Sequence, residues 1–378
     1  MRKKIIIVTT VSDSLPFFKG QINVLKGCFD VELVSSSGKY LDEMCSIHEV
    51  KGHEINMKRE ISPIHDFLSL NKLIILFLKI RPDVVHGNTP KASLLSMIAA
   101  FITRVPKRIY YVHGLRYQGE NGFKRKILMI FERVSCALAT HVIAVSQGVK
   151  ETIENDKIYN GNAHLIWNGS INGIDLDYFD PRYLDKQSLR EEYTIKNSDF
   201  VFGFVGRFVK DKGVNELVRA FCYINKEFPK TKLLLVGRFE SELDPLDDDV
   251  IVSIEENKNI INVGFQKDVR PFFSMMDVFS FPSYREGLCL VLMESSAMKI
   301  PAISTDIPGC KDVIEDLKNG FLIKSRNEQQ LIEKMRYCIE NPESIDNMKN
   351  NSRNFVKDKF EQKHLWQESL AFYKSIIN

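Results

Sequence analysis

Three short stretches of the chain concentrate residue types that can do chemistry. The first is Pro282-Ser283-Tyr284-Arg285-Glu286-Gly287-Leu288-Cys289, which runs into Leu290-Val291-Leu292-Met293-Glu294. Gly287 lets backbone approach a ligand closely. The amides of Leu288 and Cys289, at the start of a helix, would point toward an anion such as a diphosphate. Glu294 lies four residues from both Leu290 and Met298, which puts it on the apolar face of that helix. A carboxylate there costs free energy unless something donates to it. Two kinds of partner fit: a ribose diol, whose paired hydroxyls match its two oxygens, or an internal Arg or backbone group. The second stretch is Gly203-Phe204-Val205-Gly206-Arg207 followed by Lys210-Asp211-Lys212-Gly213. Arg207 as a fork and Lys212 as a point charge could hold phosphate oxygens, or both could be solvated loop cations. The third, Tyr111-Val112-His113-Gly114, ends an apolar run, where a lone His serves structure as readily as chemistry.

The elements around these stretches must be short strands alternating with amphipathic helices. Strands are expected at Lys4–Thr9, Val31–Val34, Asp83–His86, Arg108–His113 and His141–Val145, each apolar on both faces as a covered parallel strand must be. Helices are expected at Ile64–Ile80, Ala92–Ile102 and Phe123–Ala139. From about Asn168 to Ser198 the chain turns Gly-, Asn- and charge-rich, which marks an interdomain connection. A second series follows: Phe200–Gly206, Lys232–Val236, Ile260–Val263, Val278–Phe281 and Pro301–Ser304. The alternation predicts an α/β protein of two doubly wound parallel sheets. Residues 1–170 and 171–360 are expected to form the two domains, with a C-terminal helix over 361–378 rejoining the first. Ligands in such sheets bind beyond the carboxyl ends of strands, where all three stretches fall.

At 378 residues, 44% hydrophobic and 27% charged, the chain has the composition of an ordinary two-domain globular protein. A net charge of +3 gives no reason to expect nucleic acid as a partner. The charge is uneven, however: residues 1–170 carry 23 Lys and Arg against 15 Asp and Glu. Such a surface suits an anionic partner or is simply solvated. Seven dispersed cysteines without a C-x-x-C pair argue for a reducing compartment rather than a disulfide framework or a zinc site. Arg2-Lys3-Lys4 before Ile5-Ile6-Ile7-Val8 imitates a leader peptide, but with no cleavage site after it the run reads as a buried strand. No apolar run is long enough to span a bilayer.

Taken in order, the motifs resemble those of the group 1 retaining glycosyltransferases with the GT-B fold, of the bacterial surface-polysaccharide type. The resemblance rests on Gly206-Arg207 and Lys212-Gly213, Val236-Gly237, Val263-Gly264-Phe265, Glu286 with Glu294, Thr305-Asp306-Ile307-Pro308-Gly309 and Asn319-Gly320-Phe321. It implies two Rossmann-like domains facing each other across a cleft. It implies that Arg207 and Lys212 hold the donor diphosphate, Glu286 contacts the transferred sugar and Glu294 binds the ribose hydroxyls. Gly287, Leu288 and Cys289 would form the phosphate loop, though Cys289 stands where many members have a smaller residue. The region Gly264 to Asp268 would lie near the nucleobase. In the first half, His113 looks like the family's His near the reacting sugar and Gly20 like its first-lobe glycine near the donor. Asn172-Gly173-Ile174-Asp175 looks like a structural hinge-side segment.

The activity so implied is transfer of a hexose or N-acetylhexosamine from a nucleotide-sugar, commonly a UDP-sugar, with retention of configuration. It needs no metal and no cofactor. The pairs Asp175/Asp177 and Asp247/Asp249 imitate a metal-binding D-x-D motif but read as solvated or hinge residues. Thr89-Pro90-Lys91-Ala92 and His113-Gly114-Leu115-Arg116 look like members that use a glycan or polyprenyl-diphosphate-linked acceptor at the inner face of the cytoplasmic membrane. Phe123, Ile127, Ile130, Val134 and Leu138 form one stripe beside Lys124, Arg125, Lys126 and Arg133. That helix fits either a peripheral membrane contact or a core-packed helix with solvated cations. Two rival activities share the motifs: a nucleotide-sugar epimerase of the same fold and an inactive nucleotide-sugar-binding scaffold. An oxidoreductase is disfavoured, because no G-x-G-x-x-G follows either first strand.

Overall fold

The computed structural model describes residues 2–240 and 244–377, and the chain divides into two compact units. The first comprises Met1–Gly173 with Gln362–Asn378, the second Ile174–Glu361.

The first unit is built on seven parallel strands: β1 (Lys4–Val8), β2 (Asp30–Ser35), β3 (Lys51–Glu54), β4 (Val84–Asn88), β5 (Lys107–Val112), β6 (His141–Ala144) and β7 (His164–Leu165). Their order is β3-β2-β1-β4-β5-β6-β7, so the chain leaves β1 in one direction and resumes at β4 in the other. Ile5 to Val8, the run that imitates a leader, is the fully buried centre of this sheet, with Ile7 opposite both Leu33 and His86. Strand β1 is apolar on both faces, as a covered parallel strand is expected to be.

The second unit repeats the plan with β8 (Phe200–Val205), β9 (Thr231–Val236), β10 (Ile260–Asn262), β11 (Val278–Phe281), β12 (Ala302–Thr305) and β13 (Gly320–Ile323), in the order β10-β9-β8-β11-β12-β13. Its core includes stacked rings, Phe204 on Phe281 and Phe279 on Phe281, each at 5.8 Å. The direction of winding switches between β8 and β11. At such a point neighbouring loops splay apart and leave a crevice for ligand.

Elements depart from expectation where tertiary contacts overrule local pattern. The segment from Asn168 to Ser198, expected to be a connection, contains a helix, Lys186–Glu192. Its Arg190 is buried and bonds Asp277 at 2.7 Å. Strand β3, Lys51-Gly52-His53-Glu54, has no apolar run at all and is an edge strand whose His53 Nε2 lies 2.6 Å from Glu32 Oε2. The helix Gly122–Leu138 buries Leu128, Glu132, Ser135 and Cys136. Of the stripe named from sequence, Phe123 and Ile130 are 79% and 52% exposed, while Ile127, Val134 and Leu138 are half-buried. Among the described residues no helix is long and apolar enough to cross a membrane.

Candidate active site

In the second unit, the loops leaving β8 and β11 meet at the switch point and are stitched together. Gly213 has φ +70°, and a Cβ there would sit 2.1 Å from the carbonyl oxygen of Pro282. Both the left-handed backbone and the close approach require glycine. The Tyr284 amide donates to Asp211 O at 2.9 Å and Ser283 Oγ to the same oxygen at 3.2 Å. Arg285 Nη2 donates to the Asp211 carboxylate at 2.9 Å. Thr305 Oγ1, from β12, donates to Ser283 O at 2.5 Å. The outcome is a preformed ion pair: Lys212 Nζ lies 2.5 Å from Glu286 Oε1, which also accepts from Ser283 Oγ at 2.8 Å. Lys212 Nζ stands 5.4 Å from the Phe281 ring centroid, within cation–π reach. Lys212 and Glu286 remain 17% and 14% exposed, enough to meet a ligand.

Arg207 is not part of that pair. Its Nη1 donates to Glu240 Oε2 at 2.7 Å, and Glu240 Oε1 also lies 3.7 Å from Arg238 Nη2. Arg207 is half exposed, so a diphosphate could take over the place of the Glu240 carboxylate. Glu294 lies on the helix Leu290–Ala297, which follows the Glu286 loop in the chain. Of the two partners the sequence left open, the internal one is absent: among the described residues nothing bonds this carboxyl. Burial alone pushes its pKa up to about 8, although part of the residue stays accessible.

The phosphate loop needs one correction. The Cys289 amide donates to Gly309 O at 3.2 Å and is not turned toward a ligand. Gly309 has φ +84°, and a Cβ on it would lie 2.7 Å from Gly287 O, so this second loop is moulded against the first. The first intrahelical bond is Met293 N to Cys289 O at 3.3 Å. The first amides of the helix, those of Leu290, Val291 and Leu292, have no acceptor within it and begin one residue after Cys289. Leu288 is half-buried against the core, and the Cys289 thiol is buried beside that of Cys310, which together with burial holds it protonated.

In the first unit, β1 and β4 flank the corresponding switch point. Thr10 Oγ1 and Thr89 Oγ1 lie 2.7 Å apart, and Thr89 adopts φ +66°, rare for a β-branched residue. His113 follows β5. Its Nε2 lies 2.9 Å from Asn88 Oδ1, and its ring packs against Tyr111 at 4.6 Å and Phe18 at 6.0 Å. Burial pushes its pKa down to about 3, so the ring is neutral. Gly20 has a packing role in the first unit. A Cβ there would overlap the Trp366 ring at 1.7 Å, so the glycine makes room for the C-terminal helix Gln362–Ile377. Asn88 and Ser283 are the polar residues that sequence reading did not single out. Ser283 lay within a quoted motif, whereas nothing in the local pattern marked Asn88.

The D-x-D look-alikes are occupied otherwise. Asp175 Oδ1 accepts from the amides of Asp177 and Tyr178, both at 3.0 Å, capping its own turn. Asp247 and Asp249 pair with Arg219 at 2.7 and 2.8 Å.

Residues 185–355 match the family described as glycosyl transferases group 1, and residues 26–177 match glycosyltransferase family 4. A capsular polysaccharide biosynthesis glycosyltransferase of Staphylococcus aureus is 36% identical over 378 residues, covering 99% of this chain and 98% of that one. An Escherichia coli enzyme is 26% identical across 88% of this chain and 85% of its own. Its name is UDP-Gal:alpha-D-GlcNAc-diphosphoundecaprenol alpha-1,3-galactosyltransferase. Among solved structures, Anabaena HepE in complex with UDP superposes with a TM-score of 0.81 at 19% identity, covering 99% of this chain and 100% of that one. At that identity the likeness concerns the fold, the two-unit α/β architecture of GT-B enzymes. The full-length relationship at 36%, with a family match in each half, makes this chain a member of the group 1 glycosyltransferases and its activity glycosyl transfer.

Proposed function

We propose that the enzyme moves a hexose or N-acetylhexosamine from a UDP-sugar, with retention and without a metal ion, to a glycan carried on a lipid diphosphate. The setting is bacterial surface-polysaccharide synthesis at the cytoplasmic face of the membrane. The relatives support donor, acceptor and setting, since one is named for capsule synthesis and another for UDP-Gal and a diphosphoundecaprenol-linked acceptor. One observation in the chain itself carries the reading: Glu294, a half-buried carboxyl without a protein partner among the described residues, on the helix that follows the loop holding Glu286 and its partner Lys212. Its oxygens are not enclosed, so a ligand can reach them, and a ribose diol supplies two donors.

In the proposed chemistry the bond between the anomeric carbon and the diphosphate oxygen breaks as a new bond to the acceptor hydroxyl forms on the same face. The hydroxyl proton passes to the leaving phosphate oxygen. Arg207, Lys212 and the orphan helix amides stabilise the charge that develops there, each charge-assisted bond contributing about 1.5–3 kcal/mol. Glu286, anchored by Lys212 and Ser283, is placed to accept from sugar hydroxyls, and His113 contacts a sugar hydroxyl from the first unit. With cations of the protein at the diphosphate and both D-x-D pairs engaged elsewhere, no divalent ion is required.

Calorimetric titration with UDP, GDP and ADP, with and without chelator, tests this. UDP is expected to bind selectively and independently of chelator, and Lys212→Ala to weaken it at least about tenfold. Absence of binding by all three nucleotides would sink the proposal. Chelator-sensitive binding would remove its metal-independent part.

A further inference from the structure

Asn88 is fully buried at the end of β4, in register with Tyr111 and hence two residues from His113. Its carboxamide has only one workable orientation. Nδ2 donates to His86 O at 3.2 Å and lies 3.5 Å from Val8 O. Turning the group over would set its oxygen against two carbonyl oxygens and its NH2 toward the imidazole. Oδ1 therefore faces His113, and an oxygen that can only accept requires a proton on the nitrogen 2.9 Å away. The neutral ring then carries hydrogen on Nε2 and a lone pair on Nδ1. Nδ1 has no partner among the described residues, and His113 is only half-buried. The ring cannot rotate away, because Tyr111 and Phe18 pack on it. Asn88 is equally fixed: the next residue, Thr89, has φ +66°, and its Oγ1 donates to Asn88 O, accepts from Thr10 N at 3.1 Å and lies 2.7 Å from Thr10 Oγ1.

We propose that Asn88 is a positioning residue that locks His113 in the Nε2–H tautomer, so that Nδ1 presents an acceptor to a sugar hydroxyl. The inference rests on the proposed role of His113. It adds that the group met there is a hydroxyl rather than a phosphate or carboxylate oxygen, which a lone pair would repel.

The test is an NMR measurement of the imidazole nitrogens in the full-length, isotope-labelled protein, with the His113 signals identified by their loss in His113→Ala. The expected result is the Nε2–H tautomer in the wild type, and a mixture of tautomers in Asn88→Ala. Asn88→Asp should restore the single tautomer, since a buried, protonated Asp keeps both an acceptor and a donor. Turnover is read as UDP release from UDP-glucose, UDP-galactose and UDP-N-acetylglucosamine. Asn88→Ala should lower kcat by about 10-fold or more, as loss of an orienting partner does at other imidazole sites, with Asn88→Asp in between. A wild-type Nδ1–H tautomer overturns the proposal whether or not any variant folds. Impaired His113→Ala with wild-type kinetics and tautomer in Asn88→Ala overturns it alone. Full activity in His113→Ala overturns the role of His113, and the proposal with it.

Discussion

Glu294 shows most directly how one residue's environment sets behaviour in solution. In the free protein burial pushes its pKa up to about 8, so at pH 7 it is mostly neutral. Two ribose hydroxyls donating to it favour the ionised form and lower that pKa. Binding of UDP near pH 7 should therefore release up to about one proton, and affinity should rise with pH until about 8 and then level off. For the unliganded protein the linkage has the opposite consequence. Because the folded pKa exceeds the unfolded value of 4.5, this group favours folding below pH 4.5, and that contribution is lost as pH rises through about 8. Calorimetry in two buffers of different ionisation enthalpy counts the protons, and Glu294→Gln separates them from those of UDP itself. Equal proton release in both proteins would remove Glu294 from the ribose site. The variant should also bind UDP about tenfold more weakly, since a carboxamide has one acceptor oxygen where the diol needs two. The position of Glu294 was legible because an acid at helical spacing on an apolar face is anomalous in any sequence. Asn88 was not, because its meaning arises only when β4 pairs with β5 and brings His113 alongside. The packing demand on Gly20 was hidden for a related reason: Trp366, which leaves room there for no side chain, is distant in sequence.

At the scale of elements, the strands read well from sequence where a covered run is mostly Ile, Val, Leu and Phe, as in β1, β8 and β11. Expected and observed ends of β1, β8 and β11 agree within about a residue or two, the usual uncertainty at element ends. The edge strand β3 and the helix Lys186–Glu192 escaped because polar contacts hold them. That helix is clamped by Asp277, at the foot of β11, which accepts from Arg190 Nη2 at 2.7 Å, Lys186 Nζ at 2.9 Å and the Val201 amide at 2.9 Å. Burial pushes the Asp277 pKa up, but the two cations and the amide outweigh it and hold it below the usual carboxylate range. Its folded pKa is depressed, so the stabilisation is present above the unfolded value near 3.8 and is lost as pH falls through the folded one. Removing one member of a buried charge cluster typically costs about 3–5 kcal/mol. Asp277→Ala should therefore lower the melting temperature of the second unit by roughly 10 °C at neutral pH. The difference from the wild type should shrink in acid. A neutral-pH shift of under about 2 °C would show that the clamp contributes little beyond surface pairing.

At the scale of the whole molecule, the excess of Lys and Arg in the first 170 residues coincides with apolar side chains that have no partner in the fold. On the helix Pro63–Ile80, Ile64, Phe67 and Ile75 are 76%, 65% and 65% exposed, and Phe123 on Gly122–Leu138 is 79% exposed. Both helices pack on Pro90–Ile102, which places them on one side of their sheet. Lys72, Lys79, Lys124, Lys126 and Arg133 are exposed along the same two helices; Asp66 is engaged by Lys91 at 2.7 Å and Glu120 by Lys124 at 2.6 Å. Apolar residues ringed by cations suit the boundary between anionic headgroups and acyl chains, where a lipid-linked acceptor presents its diphosphate. Each Lys or Arg near such a surface contributes about 1 kcal/mol and each buried Phe about 1.5–3 kcal/mol. Two Phe and several cations therefore suffice for reversible attachment without a spanning helix. Flotation with phosphatidylglycerol vesicles should recover the protein at low salt and progressively less as salt rises. Phe67→Ser with Phe123→Ser should reduce recovery at every salt concentration, because the lost contribution is apolar. Lys124→Glu with Lys126→Glu should instead flatten the salt dependence, because the lost contribution is electrostatic. Each pair should leave UDP binding unchanged, since the residues proposed to hold UDP all lie in the second unit. If wild-type protein stays with the soluble fraction at low salt, where attraction is greatest, membrane attachment by this face is excluded and the acceptor must be met in solution.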